Sequence, residues 1–212
     1  MTGIIDYNAG NIRSVELALR SLNVEYRISR KPADLERADR LIFPGVGEAK
    51  FAMRELRAFG FDSFLRDWAA SGKPLIGVCL GSQIIFDHSE ENDTPCLGLI
   101  HGTVRRFPAD FHARGLKVPH MGWNDLTFRN GGSSLYDGVP DGSDFYFVHS
   151  YYVDPADSST VTATVDYGFP LPCSVKSGNI EAFQFHPEKS GKNGLRILAN
   201  FAREDRKGGE PC

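Results

Sequence analysis

The sequence predicts an α/β fold, with a mostly parallel central sheet flanked by helices and antiparallel ribbons in the second half. Three observations carry this. Short apolar runs alternate with helical apolar patterns through the first half of the chain, the signature of a parallel sheet. The second half holds closely spaced short strand patterns with few helices between them, which pair as antiparallel ribbons. No linker, repeat or low-complexity tract divides the chain, so residues 1–212 are expected to form a single domain with a frayed end at about 204–212.

The elements follow in order. Gly3 to Tyr7 is an apolar strand, and Asn8-Ala9-Gly10-Asn11 is a turn of residues that tolerate unusual backbone angles. Asn11 or Ser14 is positioned to cap a helix whose Val15, Leu19 and Leu22 share a face. Val24 to Ile28 is a second strand, and Pro32 to Ala38 a short helix with proline in its first turn. Leu41-Ile42-Phe43 is a third strand, stopping at Pro44-Gly45-Val46-Gly47. Helices are expected at about 48–58 and 61–71, then a strand over Pro74 to Val78 and a helix from Ser82 carrying Ile84, Ile85 and Phe86. Ser89 to Pro95 reads as an acidic loop. Strand patterns follow near 102–107, 124–128, 145–149, 160–166, 172–176 and 180–185, and a helix from about Asn193 to Ala202 closes the fold.

Composition excludes several classes. Of 212 residues, 41% are hydrophobic and 24% charged, with a net charge of −3, so the basic excess of a nucleic-acid surface is missing. No apolar run approaches the roughly 20 residues that span a bilayer. The start lacks a basic segment followed by an apolar one, so no secretion signal is expected and a cytoplasmic location follows. The four cysteines, Cys79, Cys96, Cys173 and Cys212, form no CxxC pair, and neither a metal nor a cofactor is expected.

Cys79 stands at the joint of a strand and a helix, between Gly77 and Gly81. This is the Gly-x-nucleophile-x-Gly pattern of a nucleophile elbow, with a thiol as nucleophile. A strand that reverses sharply into a helix strains the nucleophile's backbone and needs neighbours without side chains. A helix N-terminus favours a thiolate, and its free N–H groups can receive an oxyanion. A lone buried cysteine is more often structural. The paired glycines at a strand-helix joint point instead to catalysis, provided that a histidine base exists.

Six histidines are available. His88 falls in the helix after Cys79 and is expected to point away from it, and His101 and His112 lie in polar surroundings. His120 and His149 lie in aromatic-rich segments. His186 is the best base: it ends the strand Ile180 to Phe185 and precedes Pro187, which keeps it extended. Residues i and i+2 of an extended chain share a side, so Glu188 can orient the His186 ring. Cys79, His186 and Glu188 then form a cysteine-histidine-acid triad.

Gly77-Val-Cys-Leu-Gly-Ser-Gln83 with His186-Pro-Glu188 resembles the triad-type class I glutamine amidotransferases, whose sheet is flavodoxin-like. Asp6-Tyr-Asn-Ala-Gly-Asn11, Phe43-Pro-Gly-Val-Gly47, Lys117-Val-Pro-His-Met-Gly-Trp-Asn124, Tyr146-Phe-Val-His-Ser-Tyr151 and Gln184-Phe-His-Pro-Glu-Lys-Ser190 narrow the resemblance to the glutaminase subunits of imidazole glycerol phosphate synthase. The resemblance implies hydrolysis of glutamine to glutamate and ammonia. The ammonia passes to a barrel-shaped (TIM-barrel) cyclase subunit, bound as a heterodimer, that makes imidazole glycerol phosphate and an aminoimidazole carboxamide ribotide in histidine biosynthesis.

By position, the resemblance implies Cys79 as nucleophile, His186 as general base and acid, and Glu188 as its orienter. It implies oxyanion donors at Leu80 and at Val46 and Gly47, whose strand must rotate to serve. It implies glutamine contacts at Gln83, His149, Ser150 and Tyr151, and cyclase contacts at Asn11, Trp123, Asn124, Tyr146 and Lys189. Two positions depart from the family pattern: Asn8 replaces a glycine and Ser82 a methionine. Other readings of the same motifs are a paralogous subunit supplying ammonia for surface-polysaccharide sugars and a stand-alone cysteine hydrolase.

Overall fold

A computed structural model describes residues 1–203; the chain end expected to be frayed lies outside the described residues. Strand β1 (Thr2–Ile5) leads to helix α1 (Ile12–Ser21), β2 (Tyr26–Ser29) and β3 (Arg40–Gly45). Helices α2 (Ala49–Phe59) and α3 (Phe61–Ala70) precede β4 (Leu75–Cys79) and the one-turn helix α4 (Leu80–Gln83). Then come β5 (His88–Ser89), β6 (Thr94–Pro95), β7 (Gly102–Arg106), β8 (His120–Phe128), β9 (Asp144–His149), β10 (Tyr151–Pro155), β11 (Val161–Asp166), β12 (Pro170–Ser177) and β13 (Ile180–Phe183). A 3₁₀ turn (Pro187–Lys189) joins β13 to α5 (Gly191–Arg203).

Nine strands form one sheet in the order β2-β1-β3-β4-β13-β12-β11-β8-β9. The pairs from β2 to β13 are parallel and those from β13 to β9 antiparallel. The expected antiparallel ribbons thus extend the parallel sheet as one surface. A second sheet, β10-β7-β5-β6, packs beside it. Alternation along β3 shows how the two faces are filled. Leu41 and Phe43 join Met53, Leu56, Leu65 and Trp68 of α2 and α3 on one face. Ile42 joins Val15 and Leu19 of α1 and Ile197, Leu198 and Phe201 of α5 on the other.

Four local expectations are corrected. The helix expected over Pro32 to Ala38 is a single 3₁₀ turn, Pro32–Asp34, because successive tight turns bring both Leu35 and Ala38 inward. Asn11 precedes α1 without a side-chain capping bond, and Ser14 lies inside the helix. The helix after Cys79 stops at Gln83, since the Ile84, Ile85 and Phe86 carbonyls accept from the Leu97, Leu99 and Gly98 N–H groups instead of continuing the turn. His88 therefore falls in a short strand, where it meets Asp93 at 2.8 Å. Asn8 adopts φ +68°, a left-handed conformation that asparagine tolerates where glycine would otherwise stand.

Among the described residues no helix is long and apolar enough to cross a membrane.

Candidate active site

Strand order builds the site. β4 lies between β3 and β13, with Gly45 opposite Cys79 on one side and Phe183 opposite Val78 on the other. All three run parallel, so their carboxyl ends open on one crevice. The chain beyond β3 carries Val46 and Gly47 past one flank of Cys79. The chain beyond β13 carries His186 past the other.

Cys79 has φ +54° and ψ −114°, a conformation that a residue with a side chain rarely adopts. The glycines permit it by close approach. A methyl group on Gly81 would fall 2.0 Å from the Phe43 carbonyl oxygen, and one on Gly77 would fall 2.8 Å from the Gly81 oxygen. Ser82 turns away from the crevice, its hydroxyl donating back to the Cys79 carbonyl at 2.6 Å. Ser82 is thus buried behind the elbow and braces it.

His186 and Glu188 are joined by Nδ1 to Oε1 at 2.8 Å, and both side chains are only 2% exposed. The contact forms although Pro187–Lys189 is a 3₁₀ turn, because His186 itself stays extended at φ −100° and ψ 95°. Ser190 closes this turn, donating to the His186 carbonyl at 2.6 Å and accepting from the Tyr146 N–H at 3.0 Å. His186 Nε2 makes no geometrically formed hydrogen bond among the described residues. Burial pushes the ring down. Its side-chain interactions with Cys79 and Glu188 push it up and prevail, holding it at about 9. Cys79 Sγ lies 3.9 Å from the Val148 carbonyl oxygen, against the opposite wall.

A cavity of about 330 Å³ opens over the thiol. That is the small end of the ~300–1,000 Å³ range of small-molecule sites. Val46, Gly47, Cys79 and Leu80 line its floor; Gln83, His149, Ser150, Tyr151, His186 and Lys189 line its walls. Leu80 opens α4, so its N–H has no intrahelical acceptor. The Val46 N–H donates to the Ala9 carbonyl at 2.7 Å and so is turned away from the cavity.

A buried polar chain fixes one wall. Gln83 Nε2 donates to the Tyr151 carbonyl at 3.0 Å and to Gln184 Oε1 at 2.8 Å. With both its hydrogens placed, Gln83 keeps its own oxygen as an acceptor. His149 Nδ1 reaches the same Tyr151 carbonyl at 2.7 Å and therefore carries the proton. His149 Nε2 then accepts from His120 Nδ1 at 2.9 Å. Burial, above all, lowers both rings, His120 to about 4 and His149 to about 3, so both are neutral donors and acceptors at pH 7. His120 is further held between Phe147 and Tyr167, at ring distances of 4.8 and 3.9 Å.

The residues expected to meet a partner fall in three places. Trp123 and Tyr146 are cross-strand neighbours with ring centroids 6.0 Å apart, and Lys189 lies over the Tyr146 ring at 5.9 Å. Trp123 is 54% and Met121 62% exposed, a high value for such large apolar side chains. Asn124 points from the other face of β8, its amide donating to the Asp166 carbonyl at 3.3 Å. Asn11 stands apart at the start of α1, half-buried.

Sequence reasoning missed Glu91. It lines the cavity, and its Oε2 accepts from the Ala49 N–H at 2.7 Å at the start of α2. Burial, the largest influence, raises its carboxyl. Nothing in the acidic loop distinguishes this acid from Glu90; only the fold turns it inward.

Residues 3–204 match the glutamine amidotransferase class-I family. Among curated relatives, an imidazole glycerol phosphate synthase subunit HisH of Dechloromonas aromatica is 46% identical over 93% of this chain and 94% of its own length. The protein of the same name from Halalkalibacterium halodurans is 46% identical over 98% of both chains. A crystal structure of a glutamine amidotransferase superposes with a TM-score of 0.73 over 95% of this chain and 98% of that chain. At 23% identity that likeness concerns the fold alone. The chain belongs to the class-I glutamine amidotransferases, within the group of imidazole glycerol phosphate synthase HisH subunits.

Proposed function

We propose that this chain is a single amidotransferase domain that hydrolyses glutamine and delivers the ammonia to the cyclase subunit of an imidazole glycerol phosphate synthase. The observation that carries it is the buried His186–Glu188 pair beside a strained Cys79, all at the carboxyl ends of adjacent strands. The Cys79 sulfur attacks the side-chain amide carbon of glutamine. His186 gives its proton to the departing ammonia. Water, activated by the same ring, then cleaves the thioester to glutamate and restores the thiol. Glu188 holds the ring in the tautomer that leaves Nε2 for the sulfur and stabilises the imidazolium.

The cavity walls suit the substrate. Gln83 offers its free amide oxygen, and the chain from His149 to Tyr151 offers a wall fixed by hydrogen bonds. The Glu91 carboxylate is the acidic group suited to the α-ammonium. The Leu80 N–H is one oxyanion donor. The Val46 N–H becomes the second once the Gly45–Val46 peptide turns from Ala9 to the cavity, a rotation about ψ of Gly45 and φ of Val46 in which the glycine gives one of the two torsions its freedom. The partner docks over Trp123, Met121, Tyr146 and Lys189 around the mouth, with Asn11 and Asn124 at its margin. Identity of 46% over 98% of a HisH subunit favours this reading over a polysaccharide paralogue or a stand-alone hydrolase. The test is glutamate release from glutamine, measured with and without a cyclase subunit. No release in either condition overturns the reading.

A further inference from the structure

Tyr7 follows β1 and is fully buried, its ring tilted on Phe43 at 5.4 Å between centroids. Among the described residues, its hydroxyl makes no hydrogen bond. A buried hydroxyl without a partner is destabilising, and phenylalanine would fill the same space without that cost. Burial, and secondarily the charge of Cys79, hold the phenol well above its ordinary range, so it is a neutral donor at any pH of interest.

The position of this hydroxyl is informative. A methyl group on Gly45 would fall 2.9 Å from it and 2.5 Å from the Gly81 nitrogen. The hydroxyl therefore lies against the Gly45 backbone, behind the elbow. Gly45 supplies the carbonyl of the peptide whose nitrogen belongs to Val46. A peptide is planar, so turning the Val46 N–H from Ala9 to the cavity swings the Gly45 carbonyl the opposite way. That carbonyl then turns towards the side holding the Ala9 carbonyl, which is an acceptor and cannot satisfy it. A donor is needed there.

We propose that the Tyr7 hydroxyl is this donor: it receives the Gly45 carbonyl when the Gly45–Val46 peptide turns, and so positions the second oxyanion donor without touching substrate. The proposal rests on the glutaminase function given above. A bond made only in the turned state stabilises the transition state and not the bound ground state. It lowers the barrier without changing how glutamine is held. It also explains why a hydroxyl is kept at a place where it has no partner while the peptide faces Ala9.

The test is Tyr7→Phe in the complex with the cyclase subunit and that subunit's ligand. Glutamate release should show a kcat reduced about 5- to 10-fold, the loss of one neutral hydrogen bond. KM for glutamine should stay within about twofold. The melting temperature of the variant should equal or exceed that of the unaltered chain, since an unpartnered hydroxyl has been removed. An unchanged kcat overturns the proposal. So does a lowered melting temperature, which would mean that the hydroxyl is already bonded before the peptide turns. A raised KM with intact kcat also overturns it, by placing Tyr7 in glutamine binding. Absence of glutamate release from the unaltered complex would overturn the function itself, and is distinguished by having no wild-type rate to lose.

Discussion

The Val46 N–H donates to the Ala9 carbonyl at 2.7 Å, although Val46 itself lines the cavity over Cys79. One N–H cannot serve Ala9 and an oxyanion together. The isolated chain should therefore be a slow glutaminase. Binding of the partner with its ligand should raise kcat by about 100-fold or more, the worth of one oxyanion donor. Steady-state glutamate release with and without the ligand-loaded partner measures this. Equal rates would mean that the peptide facing Ala9 does not limit turnover.

Glu188 bonds the His186 Nδ1 at 2.8 Å, with both side chains only 2% exposed. Glu188→Gln keeps the shape and removes the charge. The expected result is a kcat lower by about 100-fold or more with little change in KM, because only the orientation and charge of the base are altered. The carboxylate is one of the influences that hold the His186 ring up at about 9, so its removal should also move the ring's titration downward. The pH dependence of kcat/KM reports that shift. A variant with wild-type kcat and profile would assign His186 another partner.

The elbow and the base were legible in the chain because each has a local cause. Glycines flank Cys79 for steric reasons, and Pro187 keeps His186 extended next to an acid two residues on. The parallel half of the sheet was legible for the same reason, in alternating apolar periods. What stayed hidden depends on contacts distant in sequence. The Ile84 to Phe86 segment has a helical look but gives its carbonyls to residues 97–100. The antiparallel strands show their existence but not that they extend the parallel sheet. Strand Tyr151–Pro155 was missed because it pairs with Gly102–Arg106, distant in sequence, with Tyr152 opposite Arg105. Glu91 enters the cavity only because β5 and β6 pair as a hairpin around it.

His120 and His149 are buried and neutral, with folded values of about 4 and about 3 against 6.5 for an exposed ring. Below pH 6.5 the unfolded chain takes up protons that the folded chain refuses. The stability that these two rings contribute is therefore full above about pH 6.5 and falls as the pH drops towards 4 and then 3, by up to about 1.4 kcal/mol per pH unit for each ring. Denaturant unfolding between pH 7 and pH 4 should show this slope, and His120→Asn should flatten it. A slope unchanged by that variant would mean that His120 titrates equally in both states.

The account turns on Cys79 making ammonia for a partner that uses it. The direct measurement is product formation by the complex of Cys79→Ala with the cyclase subunit, supplied in turn with glutamine and with ammonium salt. Glutamine-dependent synthesis should disappear and ammonia-dependent synthesis should persist at the wild-type rate. Loss of both, or survival of the glutamine-dependent reaction, would contradict it.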